Sequence, residues 1–157
     1  MGPYTKKVVE CFNNPRNYGR IKNPDGVGKV GNPVCGDVMW LYIKVGKNKK
    51  PARNASPARN AVSTAGWHSD AGGGQEIIKD IKFETFGCVA AIATSSILTQ
   101  LAKGRTLKEA KNIDKQKIIK SLGGLPPIKV HCSVLAATAL NKAIEDYESK
   151  KQVKEKR

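Results

Sequence analysis

Apolar side chains return at Tyr4, Val8, Val9 and Phe12, the spacing of one helix face. Asn13-Asn14-Pro15 then breaks the helix. Residues 15–34 lose the rhythm and carry Pro15, Gly19, Pro24, Gly26, Gly28, Gly31 and Pro33, so they read as loop. From Val38 to Val45 the chain alternates Val38, Trp40, Tyr42 with Met39, Leu41, Ile43, Val45. Both faces are apolar, which predicts a strand central in its sheet. A second strand spans Ile77 to Phe86, with Ile77, Ile78, Ile81, Phe83 and Phe86.

Helical spacing resumes from Val89 to Leu101, where Ile92, Ile97, Leu98 and Leu101 sit among Ala90, Ala91, Ala93, Ser95 and Ser96. Such small side chains let a helix come close to its neighbour. Thr106 to Lys111 reads as a short helix with Glu109 three residues after a Thr cap, a capping box. Asp114 to Leu122 is another, stopped by Gly123-Gly124, and Leu125-Pro126-Pro127 is a stiff turn. The longest helix runs from Ile128 to about Tyr147 on Val130, Val134, Leu135, Ala139, Ile144 and Tyr147. Helix, loop, strands, then helices predicts an α+β domain: a small antiparallel sheet covered by helices.

Residues 46–75 interrupt this pattern. They hold a tandem repeat, Pro51-Ala52-Arg53-Asn54-Ala55 and Pro57-Ala58-Arg59-Asn60-Ala61, and Gly72-Gly73-Gly74. With few large apolar residues, they read as a flexible insertion in the strand hairpin. Gly72 to Gly74 is not a phosphate loop, because no Lys-Ser/Thr follows, and His68 beside Trp67 reads as exposed loop. The expected organisation is one domain over 1–150 with a basic tail at 151–157.

Charge adds a partner question. The net charge is +15, from 28 Lys and Arg against 13 Asp and Glu, which suits an acidic partner. The cationic clusters at Lys47, Lys49, Lys50, Arg53 and Arg59, and in the tail, read as solvated surface. No nucleic-acid motif accompanies them, so nucleic-acid binding ranks last. No apolar run is long enough to span a membrane, and the N-terminus lacks a signal-peptide block. A prokaryotic cytoplasm is the expected compartment, with a mature mitochondrial form as the alternative.

Without a secretory signal, the four cysteines point to thiol or metal chemistry rather than disulfides. Cys35 precedes a strand in Pro33-Val34-Cys35-Gly36-Asp37. Cys88 lies between a strand and a helix in Phe86-Gly87-Cys88. Cys132 follows His131 in the opening turns of the last helix. Glycines beside Cys35 and Cys88 let backbone approach whatever the thiol binds. A helix start lowers a thiol pKa, so Cys88 and Cys132 are expected to be activated, with Lys129 adding to the effect. Pro33 and Phe86 are placed to shield the thiols from water. Thiolates select soft metals and iron–sulfur clusters. Asp37 and His131 are the candidate oxygen and nitrogen ligands that would make such a site exchangeable. Spacing alone does not separate a metal site from scattered buried cysteines. Cys11, among apolar residues of the first helix, reads as structural.

The chain resembles the iron–sulfur cluster assembly scaffold family of the IscU type, including the NifU N-terminal domain. The likeness is carried by Asn14-Pro15-Arg16-Asn17, Gly31-Asn32-Pro33-Val34-Cys35-Gly36-Asp37-Val38-Met39, Phe83-Glu84-Thr85-Phe86-Gly87-Cys88, Ala91-Ile92-Ala93-Thr94-Ser95-Ser96 and Leu125-Pro126-Pro127-Ile128-Lys129-Val130-His131-Cys132-Ser133. It implies a three-stranded antiparallel sheet with helices packed on it, and a non-enzymatic scaffold that builds a [2Fe–2S] cluster from iron and desulfurase-derived sulfur. Cys35, Cys88 and Cys132 would be the thiolate ligands and Asp37 and His131 competing fourth ligands. Cys132 would receive sulfur as a persulfide. The implied partners are a cysteine desulfurase, acceptor apo-proteins, and an Hsp70 with its J-type co-chaperone, which would read Leu125, Pro126, Pro127, Ile128 and Lys129. Tyr4 matches a residue linked to self-association, so a homodimer is an open expectation. The competing class is a zinc-binding structural or regulatory protein using the same Cys, Asp and His set.

Overall fold

The computed structural model describes residues 4–33, 36–47 and 76–156. Cys35 and the expectations placed on 48–75 lie outside the described residues. Helix α1 (Lys6–Asn13) is followed by strands β1 (Gly26–Asn32), β2 (Asp37–Lys47) and β3 (Glu76–Phe86). Helices α2 (Val89–Ala102), α3 (Leu107–Lys111) and α4 (Lys115–Ser121) come next, then a 3-10 turn (Pro127–Lys129) and α5 (Val130–Glu155). The strands form an antiparallel sheet in the order β1-β2-β3, and the helices cover one face. The α+β, three-stranded expectation holds.

Strand β1 corrects the reading of 15–34 as loop. Its glycines serve contact rather than turning. A Cβ on Gly26 would lie 2.2 Å from the Ala143 carbonyl oxygen, and one on Gly28 2.1 Å from that of Ala139. The strand therefore lies directly against the backbone of α5, whose facing positions Ala136, Ala139 and Ala143 are fully buried. The sheet's inner face presents Val30, Met39, Leu41, Ile43, Ile81 and Phe83 to the helices. The Asp146 carboxylate accepts the Val27 N–H at 3.0 Å, fixing α5 to β1 a second time.

Helix α2 is buried on nearly every side, its hydroxyls included. Ser95 donates to the Ala91 carbonyl at 2.6 Å and Thr99 to that of Ser96 at 2.7 Å. Ser96 and Thr99 also accept from the Arg16 N–H and the Asn17 side chain, so a polar helix face holds the α1–β1 loop. No buried side-chain nitrogen or oxygen among the described residues lacks a partner, as a core this polar requires.

The capping box of α3 forms as read: Thr106 accepts from the Glu109 N–H and Glu109 accepts from the Thr106 N–H. Helix α5 continues past Tyr147 to Glu155. Lys150 and Lys151 pair with Asp146 and Glu76, while residues 151–156 stay exposed. Cys11 is buried in the main core, as expected of a structural cysteine.

Candidate metal centre

Three chain reversals meet at one end of the β2–β3 hairpin. Asp37 is the first residue of β2. Cys88 is the N-cap of α2, with extended backbone at φ −82° and ψ 176°. Cys132 lies in the first turn of α5. The two sulfur atoms are 3.8 Å apart, and Asp37 Oδ2 lies 4.0 Å from Cys88 Sγ and 3.9 Å from Cys132 Sγ.

That sulfur separation is far from the roughly 2 Å of a disulfide. It matches the edge of a tetrahedral site: metal–sulfur bonds of about 2.3 Å place two thiolates roughly 3.8 Å apart. The oxygen–sulfur distances are slightly wide for the same tetrahedron, whose edge would be about 3.5 Å. A modest turn of the carboxylate closes that gap. Soft sulfur with one hard oxygen can hold a metal without holding it permanently.

Asp37 is only 3% exposed and Cys132 is fully buried, whereas Cys88 is half-buried and forms the accessible side. Burial pushes the Cys132 thiol well above the ordinary thiol range, and neighbouring Cys88 and Asp37 add to this, with Lys129 opposing. The expectation that a helix start would activate Cys132 is corrected: burial of the thiol moves its pKa up, not down. Cys88 in turn raises the pKa of Lys129, chiefly by the attraction of its thiolate. Lys129 is therefore a cationic counterweight to the thiol pair.

His131 borders this group: its Nε2 lies 3.6 Å from Cys132 Sγ. It falls outside the mutually adjacent set of Asp37, Cys88 and Cys132. Tyr4, Leu125 and Cys88 itself pack against the buried cluster of Ala90, Ala91 and Cys132. Ile128, by contrast, is 78% exposed, and Pro127 is exposed with it.

The shielding expected of Phe86 and Pro33 is also corrected. Phe86 is 78% exposed, because it pairs with Val38 on the sheet face that carries no helix; Pro33 is exposed too. Small residues do the shielding instead, with Ala90 and Ala91 fully buried beside Cys132. Sequence reasoning missed Thr94, whose buried hydroxyl donates to the carbonyls of Ala91 and Cys132. The bond to Cys132 ties the two cysteine-bearing helices together, and along the sequence Thr94 is one of several hydroxyls on the same helix, with Ser95, Ser96 and Thr99.

The chain matches the family described as the NifU-like N terminal domain over residues 3–56 and 71–154. It is 49% identical over 144 residues to the iron–sulfur cluster assembly scaffold protein IscU 1 of Archaeoglobus fulgidus, covering 92% of this chain and 76% of that one. It is 43% identical to the scaffold protein IscU of Azotobacter vinelandii, covering 94% and 96%. It is also 43% identical to the mitochondrial iron sulfur cluster assembly protein 1 of Debaryomyces hansenii, covering 97% and 72%. The fold superposes on the crystal structure of a nitrogen-fixing NifU-like protein (N-terminal) from Brucella abortus with a TM-score of 0.60 at 20% identity, covering 94% and 96%.

Proposed function

The chain belongs to the NifU-like N-terminal domain family, and on that premise we propose that it is a scaffold on which a [2Fe–2S] cluster is assembled and from which it passes to apo-proteins. The observation that carries this reading is the Asp37–Cys88–Cys132 group, with ligand atoms within 4.8 Å of one another at a tetrahedral sulfur spacing. The cluster is cargo. Cys88 and Cys132, with Cys35 as the third thiolate, grip it through sulfur. Asp37 supplies an oxygen where iron–sulfur clusters are ordinarily held by thiolate, a weaker and more exchangeable fourth contact. His131, adjacent to Cys132, is the alternative donor for that position.

Sulfur is delivered by a cysteine desulfurase. In the exchange, the Cys132 thiol, uncovered and rehydrated, loses its proton to solvent, and the thiolate attacks the outer sulfur of the donor's persulfide. The donor's sulfur–sulfur bond breaks, the donor leaves as thiolate, and Cys132 carries the persulfide. Full burial of Cys132 protects that sulfur afterwards, and requires the segment covering it to yield during delivery. The exposed Pro127 and Ile128 of Leu125–Lys129 suit docking of an Hsp70 and its co-chaperone within reach of the ligands. No described helix is long and apolar enough to cross a membrane.

Anaerobic reconstitution with iron and sulfide tests the reading. Visible sulfur-to-iron charge-transfer bands are expected in the native chain and lost in Cys35→Ala and Cys88→Ala. A native chain that binds zinc but takes up no cluster under these conditions would establish the zinc-protein class instead.

A further inference from the structure

Gly87 separates β3 from Cys88, and its φ is not among the left-handed ones. Backbone conformation therefore does not demand glycine there, but space does. Continuing the β2–β3 register one step past the Val38–Phe86 pair sets Gly87 opposite Asp37. Opposed residues in antiparallel strands project to the same face, and for Asp37 that is the buried one. A Cβ on Gly87 would lie 2.7 Å from Asp37 Oδ1, 2.9 Å from its Cγ and 3.0 Å from Ala91 Cβ. The carboxylate fills the volume that any other residue's Cβ would take. From there its other oxygen reaches 4.0 and 3.9 Å from the two thiols.

We propose that Gly87 is a positioning residue: its missing side chain lets the Asp37 carboxylate lie across the end of β3 and complete the ligand group with Cys88 and Cys132. This rests on the scaffold reading of those ligands and deepens it. The glycine next to a thiol would ordinarily be credited with letting backbone approach the metal; here it makes room for a ligand from the neighbouring strand. Alanine leaves two poor options. The carboxylate either shifts by roughly 0.7 Å to restore an ordinary 3.4 Å contact or rotates away from the thiols, because Ala91 closes the other side and interiors have no slack. The sulfur ligands stay in place in either case.

A double-mutant cycle with cobalt(II) as the probe tests this. Native chain, Gly87→Ala, Asp37→Ala and the double variant are titrated, following sulfur-to-cobalt charge transfer, and their thermal stability is compared. Gly87→Ala is expected to keep the charge-transfer bands and to weaken cobalt affinity by about the same factor as Asp37→Ala, at least the roughly tenfold that loss of a supporting residue costs. The double variant is expected to bind within twofold of Asp37→Ala. It should also recover stability lost in Gly87→Ala, because Oδ1 and Cγ are then gone and only Ala91 remains close. Affinity losses that multiply, or native affinity in Gly87→Ala, would overturn the proposal. If Gly87→Ala does not fold, rescue by Asp37→Ala still supports it, and an unfolded double variant refutes it. Failure of the native chain to build a cluster would overturn the scaffold reading alone, since the cobalt cycle reads the Gly87–Asp37 coupling directly.

Discussion

Replacing Gly28 by alanine should be among the most damaging single-methyl changes available to this fold. The added Cβ would sit 2.1 Å from the Ala139 carbonyl oxygen and 2.8 Å from the Ala143 amide nitrogen. Both are helix backbone atoms, so no rotamer change relieves the clash. Restoring a contact of about 3.4 Å to the oxygen requires β1 and α5 to separate by roughly 1.3 Å, an overpacking strain in a close-packed interior. The same shift strains the Asp146 bond to Val27 and loosens Gly26 from Ala143. A cost of about 2–4 kcal/mol follows, at or above the usual overpacking range because the obstacle is backbone. For a domain of this size, that lowers the melting temperature by about 4–16 °C. Gly31 in the same strand is the control. Its Cβ would meet nothing closer than 3.6 Å, so Gly31→Ala should be neutral or slightly stabilising through the unfolded chain. Urea unfolding of both variants decides it. A Gly28→Ala unfolding free energy within about 0.5 kcal/mol of native, or equal losses at Gly28 and Gly31, would refute the close-approach account of β1.

Two further outcomes follow from contacts already described. Burial acts to raise the Glu76 pKa, but hydrogen bonds from Lys151 and then Tyr147, each to Oε1 at 2.8 and 2.7 Å, hold it below the usual carboxylate range. A depressed folded-state pKa gives stability that is present above the unfolded value and lost as pH falls through the folded one. Glu76→Gln should therefore lose about 0.5–1 kcal/mol at neutral pH after allowing for solvent screening. It should also show a flatter stability profile than native below the unfolded carboxylate pKa, measured by urea melts at several pH values; parallel profiles would exclude the linkage. Ile128→Ser removes an exposed side chain, so it should leave the melting temperature within about 2 °C of native. It should weaken Hsp70 binding severalfold in a fluorescence-anisotropy titration, and unchanged binding would remove Ile128 from that surface.

The helices were legible because periodicity and caps are local signals. The Thr106–Glu109 box and the rhythm of α1 and α2 needed no tertiary information. The β2 and β3 strands showed through alternation. Strand β1 did not, because its glycines answer to the backbone of α5, more than a hundred residues away in sequence, and locally resemble turn residues. Its polar Lys29 and Asn32 further weakened the pattern. At the site, the residue types and motifs pointed to Asp37, Cys88 and Cys132, and the fold brings those three together. Two physical expectations failed for the same reason. Whether a helix start activates Cys132, and whether Phe86 covers a thiol, depends on burial and on which sheet face a residue occupies. Neither is fixed by neighbours along the chain.

The pairing of β2 with β3 has a topological corollary. Asp37 and Phe86 mark one end of the ladder, and Lys47 pairs with Glu76 at the other. Eleven residues of strand at about 3.3 Å each put the two ends roughly 30 Å apart. Chain length added between residues 47 and 76 thus enters at the pole opposite the thiols. At that pole, Glu76 is tied to Tyr147 and Lys151 of α5, so the junction is anchored where the extra sequence departs. Residues 57–70, an internal stretch that the family match leaves out, fall within that interval. The hairpin separates the pole where the extra sequence enters from the pole where a single methyl group at Gly87 would meet the Asp37 carboxylate.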